Sequence, residues 1–390
     1  MASIKLKGDT SGEVTIQAPS VAGTNTLELQ ATSGTLATTA QASIGMKNRI
    51  INGDMRIDQR DGTATINATG VTYNVDRWLG RGVASAGVFT LAQDTTSPAN
   101  FTNSLKATVT TADSSIASGS SYRIQQHIEG YNIADLNWGT SDAQSVTLSF
   151  WVRSSVTGTL GGSVANGDYN RFNPFSYTIS SANTWEYKTV TIAGDTSGTW
   201  VTNNALGLRL NFSLGAGADR LGTAGTWTSS IKEGVTGQVN PIQTNGATFY
   251  VTGVQLETGT TATPFENLQY GQQLALCQRY YEKSYDINTA PATNATKGLE
   301  LVAGTIDANQ NFYQTVRFAV PKRANPSINF YKSDGTANTW RYDRSGASNQ
   351  SGTPSVGDNG DSSFYMRIPS TGATWVVATM SGQWTANAEL

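Results

Sequence analysis

The sequence contains one cysteine, Cys277, and one histidine, His127. A single thiol forbids an intrachain disulfide, and a single imidazole removes every metal site or catalytic triad that needs two histidines or a Cys/His cluster. Charge is also scarce: Asp, Glu, Lys and Arg make up 14% of the 390 residues, against about 25% in ordinary soluble domains. The 28 acidic and 26 basic side chains nearly cancel, for a net charge of −2. Without a basic field, non-specific binding to nucleic acid or to an anionic membrane is disfavoured. Nowhere do 18 apolar residues run together, and Met1 to Gly8 lack the apolar stretch of a secretory signal. Synthesis and first folding in a cytosol, with no membrane insertion, are therefore expected.

What is present is β-forming material. Hydrophobic residues reach 38%, there are 40 glycines, and Ser, Thr and Asn fill the space between apolar positions. This composition favours strands and turns and predicts an all-β chain. Residues 1–45 hold short extended pieces (Glu13 to Ala18, Thr26 to Leu29, Gly34 to Leu36) with too few apolar side chains for a core of their own, so they read as an attachment segment that orders by pairing with a partner or with copies of itself. Residues 46–262 alternate well: Val146, Leu148, Phe150 and Val152 against Thr147, Ser149, Trp151 and Arg153, and again from Leu206 to Leu214. Phe249 and Val251 keep this period until Gly253, after which Val254 and Leu256 carry it one residue later, as a β-bulge requires. A large antiparallel sandwich of jelly-roll form is expected here.

Residues 263–285 read as a connector. Thr263-Pro264-Phe265-Glu266 matches a capping box, and Tyr270, Leu274, Cys277 and Tyr281 follow at helical spacing. A first turn at 263–267 and a regular helix over 268–282 are predicted, with Cys277 a small buried hydrophobe. Residues 286–390 carry strand signals at Leu299 to Val302, Val316 to Val320, Ile328 to Phe330, Phe364 to Ile368 and Trp375 to Val377, enough for a second, smaller β-sandwich. The run Ser345 to Ser363 is too polar for core and reads as a long loop.

Several of these stretches resemble a known group. Glu13-Val14-Thr15-Ile16-Gln17-Ala18-Pro19 with Ala22 to Leu27 is similar to the opening of tail-fibre and tail-associated proteins of tailed bacteriophages. Asn52-Gly53-Asp54-Met55 and Asp76-Arg77-Trp78 resemble the entry to the carbohydrate-binding-module-like sandwich of that group, and Val254 to Glu266 followed by Gln278-Arg279-Tyr280-Tyr281 is the most specific match. The resemblance implies a virion protein of a tail appendage, made in the host cytoplasm. It further implies a homotrimer, fixed through 1–45 to a tail or baseplate protein and adsorbing to a bacterial surface glycan.

The chemistry legible in the sequence agrees with binding more than with catalysis. His127 lies on the polar phase of a strand and reads as structural. Asp54, Asp58, Asp76, Glu129 and Glu186 are the carboxylates available to the central domain, and no spacing pairs them as a glycosidase needs. Gly357-Asp358-Asn359-Gly360-Asp361 lacks the ligand pattern of a calcium loop and reads as a turn. No catalytic residue, cofactor or metal is assigned. Aromatics are the informative residues, because a flat apolar face with a polar edge suits stacking on a sugar ring. Trp78, Trp151 and Trp185 fall in or beside strand patterns, where burial is expected. Trp138, Trp227 and the Tyr169 to Phe175 cluster lie in turn-like sequence, where exposure is expected. The glycan-binding assignment goes to Tyr331, Trp340, Arg341, Tyr342 and Asp343, with Trp138 and Trp227 as a further pair. The reading is a non-enzymatic tail-fibre protein; the alternatives are a connector or decoration protein that binds only virion parts, and a glycan depolymerase.

Overall fold

The computed structural model describes residues 3–7, 13–17, 47–84, 86–304, 311–344, 347–369 and 378–390. The chain divides into two compact units, Met1–Gly45 and Met46–Leu390. In the first, β1 (Ser3–Lys7) pairs antiparallel with β2 (Glu13–Gln17). The sequence pattern found the second of these strands and missed the first; Thr26 to Leu29 and Gly34 to Leu36 lie outside the described residues.

The second unit begins with β3 (Thr63–Ile66), β4 (Val71–Tyr73), β5 (Trp78–Val83), β6 (Val88–Asp94), β7 (Ser104–Thr111) and β8 (Ser121–Glu129). There follow β9 (Val146–Ser154), β10 (Gly158–Asn166), β11 (Phe172–Ile179), β12 (Glu186–Ile192) and β13 (Leu206–Ala216). A two-residue parallel contact, β14 (Leu221–Gly222) with β15 (Gly234–Val235), precedes β16 (Thr248–Thr258). Two six-stranded antiparallel sheets result, ordered β11-β10-β13-β8-β5-β4 and β12-β9-β16-β7-β6-β3. Their inner faces share one core in which Phe150 meets Phe212 at 5.0 Å and Phe212 meets Phe249 at 6.2 Å between ring centres. Each such aromatic, fully withdrawn from water, stabilises the fold by about 1.5–3 kcal/mol. The bulge falls where the alternation slips: pairing of β16 with β9 shifts between Thr252 and Gln255, and Gly253 takes φ 61°.

The connector departs from its expected form. The helix α1 spans Tyr270–Gln278, and residues 262–269 are not helical. Thr263 caps nothing, because Glu257 on β16 takes both its N–H (2.8 Å) and its hydroxyl (2.6 Å). Glu266 likewise turns away, accepting from the backbone of Lys47 and Asn48, while its own N–H donates to Gln255 Oε1. These bonds to β16 hold the segment extended and override the local signature. The helix starts instead where Gln269 N–H donates to Gln272 Oε1 at 3.3 Å. It also ends early, because Tyr281 enters a strand. Cys277 is buried, and burial raises its thiol pKa well above the ordinary value.

The C-terminal strands are β17 (Tyr281–Lys283), β18 (Glu300–Gly304), β19 (Asn311–Arg317), β20 (Ser327–Tyr331), β21 (Trp340–Arg344), β22 (Ala347–Gly352), β23 (Ser355–Asn359), β24 (Ser363–Pro369) and β25 (Ala378–Asn387). The sheet β17-β25-β21-β22, with β18 and β20 also on β25, and the sheet β19-β24-β23 enclose a core of Val316, Phe330, Trp340, Phe364, Met380 and Trp384. The polar run from Ser345 is therefore not a loop throughout. Its two segments β22 and β23 are strands held by backbone pairing to β21 and β24, which needs no apolar side chain. Trp375 to Val377 lie outside the described residues.

Within the second unit, Asn52, Asp76 to Trp78, Arg279 and Tyr280, which carried part of the family resemblance, meet at one junction. Asn52 bonds the backbone of Ile57 and Asp76, and Trp78 Nε1 donates to Asn52 O at 3.0 Å. Arg77 lies 3.5 Å over the Tyr280 ring and pairs with Glu389. Arg60 bridges Asp76 (2.7 Å) and Glu389 (3.2 Å), while Arg279 grips Glu129 with two bonds of 2.9 and 2.6 Å. Those motifs join the large sandwich to the smaller β-domain. Buried pairs of this kind specify one geometry, since removing either partner strands a charge.

Candidate functional site

The residues assigned to a C-terminal sugar site do not form an open platform. Trp340 is fully buried, its Nε1 donating to Gln383 O at 3.1 Å, and its ring stands perpendicular to Phe330 in the core. Tyr342 is buried on the same face two residues along. Both are thus corrected to core residues, because the strand's alternation turns them inward whatever the polarity of their neighbours. Arg341 and Asp343 point the other way, half-buried and ion-paired at 2.9 Å, and Tyr331 packs against Tyr285 at 6.1 Å. Trp138 is also buried. With Trp200 and Trp227 it makes a cluster of three indoles at 4.6 to 5.7 Å, all edge-to-face, in which Trp227 is half-buried and donates to Ala193 O. Within the Tyr169 to Phe175 stretch, Phe172 and Phe175 are core, and Tyr169 alone of the three aromatics is half-buried.

An open aromatic site lies elsewhere, on the outer face of the β12-β9-β16 sheet. Trp151 and Tyr187 are directly opposed on β9 and β12, with ring centres 5.4 Å apart and planes at 50°. Tyr187 is 45% exposed. They face outward because Phe150 and Val152 fill the core positions on either side. Beside them the bulge at Gly253 lets Phe101 approach: a Cβ on that residue would stand 2.6 Å from the Phe101 ring and 3.2 Å from Trp151. Phe101 in turn packs edge-on against Phe265 at 5.2 Å, and Phe265 is placed by the Thr263 to Glu257 bonds that straighten the connector. Together these residues enclose a groove of about 360 Å³, flanked by Ser149 and by the exposed amides of Asn100 and Asn267.

This arrangement can stack a pyranose ring and hydrogen-bond its hydroxyls. It cannot hydrolyse one by the two-carboxylate route, since no carboxylate lines the groove. The central acids are engaged elsewhere: Asp54 with Arg56, Asp76 with Arg60, Glu129 with Arg279, and Glu186 with Lys188 at 2.6 Å. Asp58 accepts from the backbone N–H of Arg60 and Asp61, and burial pushes its carboxyl up to about 6. His127 is buried, its Nδ1 2.8 Å from Leu390 O. Burial first, then the nearby Arg209 charge, lowers its pKa to about 3, so the ring is neutral. Among the described residues no three His, Cys, Asp or Glu side chains converge as metal ligands, and Gly360 to Ser362 form the turn between β23 and β24.

The sequence reading missed Trp151 and Tyr187 as surface residues. The signal was present, for Trp151 alternates with the apolar set and so belongs to the opposite face.

No family model matches the sequence, and no curated protein matches it. Among solved structures, a Bacteroides thetaiotaomicron protein described as sugar binding matches with TM-score 0.32 and 13% identity, over 55% of this chain and 100% of that one. The module TmCBM61, solved with β-1,4-galactotriose, matches at TM-score 0.27 and 7% identity over 55% and 99%. The family 11 carbohydrate-binding module from Clostridium thermocellum, solved with a mixed-linked tetrasaccharide, matches at TM-score 0.25 and 11% identity over 52% and 98%. The chain resembles carbohydrate-binding β-sandwich structures, at low identity and low TM-score.

Proposed function

We propose that this chain is a non-catalytic glycan-binding protein whose central sandwich holds a saccharide in the groove beside Trp151 and Tyr187. One observation carries the reading: the exposed Tyr187 and the half-buried Trp151 stand next to each other at the wall of a groove whose other polar groups are uncharged amides and a hydroxyl. An aromatic pair on a sheet face offers a flat apolar surface, and a sugar ring supplies the matching one. The resemblance of the terminal and junction segments to phage tail proteins supports a place on a virion appendage. In that setting residues 1–45 would dock to a tail component in a trimer, and the sandwich would meet a bacterial surface glycan.

Titration calorimetry against neutral oligosaccharides, with cellotetraose and galactotriose as first probes, tests the groove. Trp151→Ala and Tyr187→Ala should each weaken binding by about 1–3 kcal/mol while leaving the free energy of unfolding within about 0.5 kcal/mol of the parent. Binding that survives both changes would remove the groove from the account, and release of reducing ends from a bound glycan would replace a lectin-like role with a hydrolytic one. Normal host-cell adsorption by a phage carrying Trp151→Ala would leave the chain a connector.

A further inference from the structure

The opposite outer face of the sandwich, on the β10-β13-β8-β5 sheet, is polar and almost entirely buried. Cross-strand register places Arg81 on β5 directly opposite Arg123 on β8, and Arg209 on β13 directly opposite His127 on β8. All four project from the side away from the core residues Ile124, Leu210 and Phe212. Like charges in directly opposed positions destabilise a sheet, and this one buries them: Arg123 is 1% exposed. One carboxylate compensates. Glu233, carried over the face by the segment between β14 and β16, lies 2.9 Å from Arg123 and also accepts from the Tyr169 hydroxyl. Arg209 lies 4.7 Å over the Tyr169 ring and donates one bond, to Gly167 O. The mutual repulsion is visible in the Arg209 guanidinium, whose pKa falls to about 10 through burial first and then through Arg81 and Arg123.

The unmet hydrogen-bonding groups of this face form a pattern. On the donor side, the Nε–H groups of Arg81, Arg123 and Arg209 have no partner. On the acceptor side, Gln125 Oε1, Glu233 Oε2 and the His127 Nε2 lone pair have none. Gln125 and Asn211 are themselves fixed by a ladder running to Ser163 across three strands, so the free Gln125 oxygen is held in place. Buried groups of this kind destabilise a fold when they are left unpaired. Six of them on one sheet face are therefore an expensive arrangement unless a ligand satisfies them. One end of the face is closed by Leu390 against His127 and Tyr73, the other by Gln238 against Ser213. Solvent reaches this face at Val71, which is 53% exposed, and at the half-buried Tyr73, Arg81 and Arg209.

We infer that this face is a second binding site, for an anionic saccharide whose acidic group sits among Arg81, Arg123 and Arg209 and whose hydroxyls donate to Gln125 and Glu233. A guanidinium fork matches a carboxylate or phosphate oxygen pair, whereas a neutral sugar would leave Glu233 as the one carboxylate paired within this arginine group. A bare inorganic anion would leave the acceptors unmet. Only a molecule with both an acidic group and hydroxyls answers both sets.

The test is calorimetry and thermal unfolding of the full chain with trigalacturonate, sialyllactose and glucose 6-phosphate, with galactotriose as the neutral control. At least one acidic probe should bind, weaken as salt is raised, and raise the unfolding temperature. The first two probes against the third separate a carboxylate from a phosphate ester. Arg81→Gln and Arg209→Gln should each lower affinity at least tenfold, and Trp151→Ala should leave it unchanged, which separates this site from the aromatic groove. Arg81→Gln should not lower the unfolding temperature, since it relieves a like-charge pair. The inference is overturned if no acidic probe shifts the unfolding temperature of the unmodified protein, or if folded Arg81→Gln and Arg209→Gln proteins bind the acidic probe as tightly as the parent.

Discussion

The large sandwich and the smaller C-terminal domain each place a tryptophan within a strand, and the two indoles meet opposite fates. Trp151 stands on the surface; Trp340 is sealed in a core. The surroundings in sequence would suggest the reverse, since Trp151 sits in the apolar run Ser149-Phe150-Trp151-Val152 and Trp340 in Asn338-Thr339-Trp340-Arg341. Parity decides. Phe150 and Val152 occupy the inward positions of β9 and leave Trp151 outside, whereas Trp340 and Tyr342 are themselves the inward positions of β21. A glycine completes the second case: a Cβ at Gly382 would lie 2.3 Å from Trp340 Cδ1, so the indole lies flat across bare backbone of β25.

That contrast can be broken most sharply at Trp340. Trp340→Ala should cost about 3–5 kcal/mol of stability in chemical unfolding, since it empties the centre of the smaller core. The matching Trp151→Ala should cost little stability and act on binding. A smaller effect is expected from Gly382→Ala, which pushes the same indole off its seat and should destabilise by about 1–3 kcal/mol, as overpacking does. If Gly382→Ala were neutral, the fit of Trp340 against β25 would not be the tight one described.

The smallest effect concerns the junction between the domains and is a slope rather than an offset. Asp58 has a folded pKa of about 6, above its ordinary 3.8, because burial disfavours its charge. The folded state therefore holds the proton more tightly than the unfolded state, and stability from this group rises as pH falls from above 6 toward 4. Asp58→Asn should remove that component, flattening the pH dependence of the unfolding midpoint between those values. An unchanged profile would show that the carboxyl is effectively solvated.

Much of the architecture was legible because period-2 alternation is a local property. It located β9, β13, β16 and the Gly253 bulge from single strands of sequence. What alternation cannot supply is which strand lies beside which. Arg123 in Tyr122-Arg123-Ile124 and Arg209 in Leu208-Arg209-Leu210 are each visibly on a non-core phase, yet their meeting with Arg81 depends on register across three strands far apart in the chain. Edge strands such as β22 and β23 were illegible for a different reason: backbone pairing holds them, and of their residues only Ala347 and Val356 are apolar. The capping signature at Thr263 to Glu266 failed because Glu257 and Gln255 offered its groups better partners from another element.

The strand β25 has a consequence for how the protein comes into being. It pairs with β17, β18, β20 and β21, all of which precede it. As the chain leaves the ribosome, those four segments emerge without the partner that joins them, carrying Phe330, Trp340 and unpaired strand edges into water. Non-local pairing of this kind is slow and exposes aggregation-prone surface while it waits. The large sandwich can close behind them on its own core, so a pause or truncation during synthesis would spare one domain and strand the other.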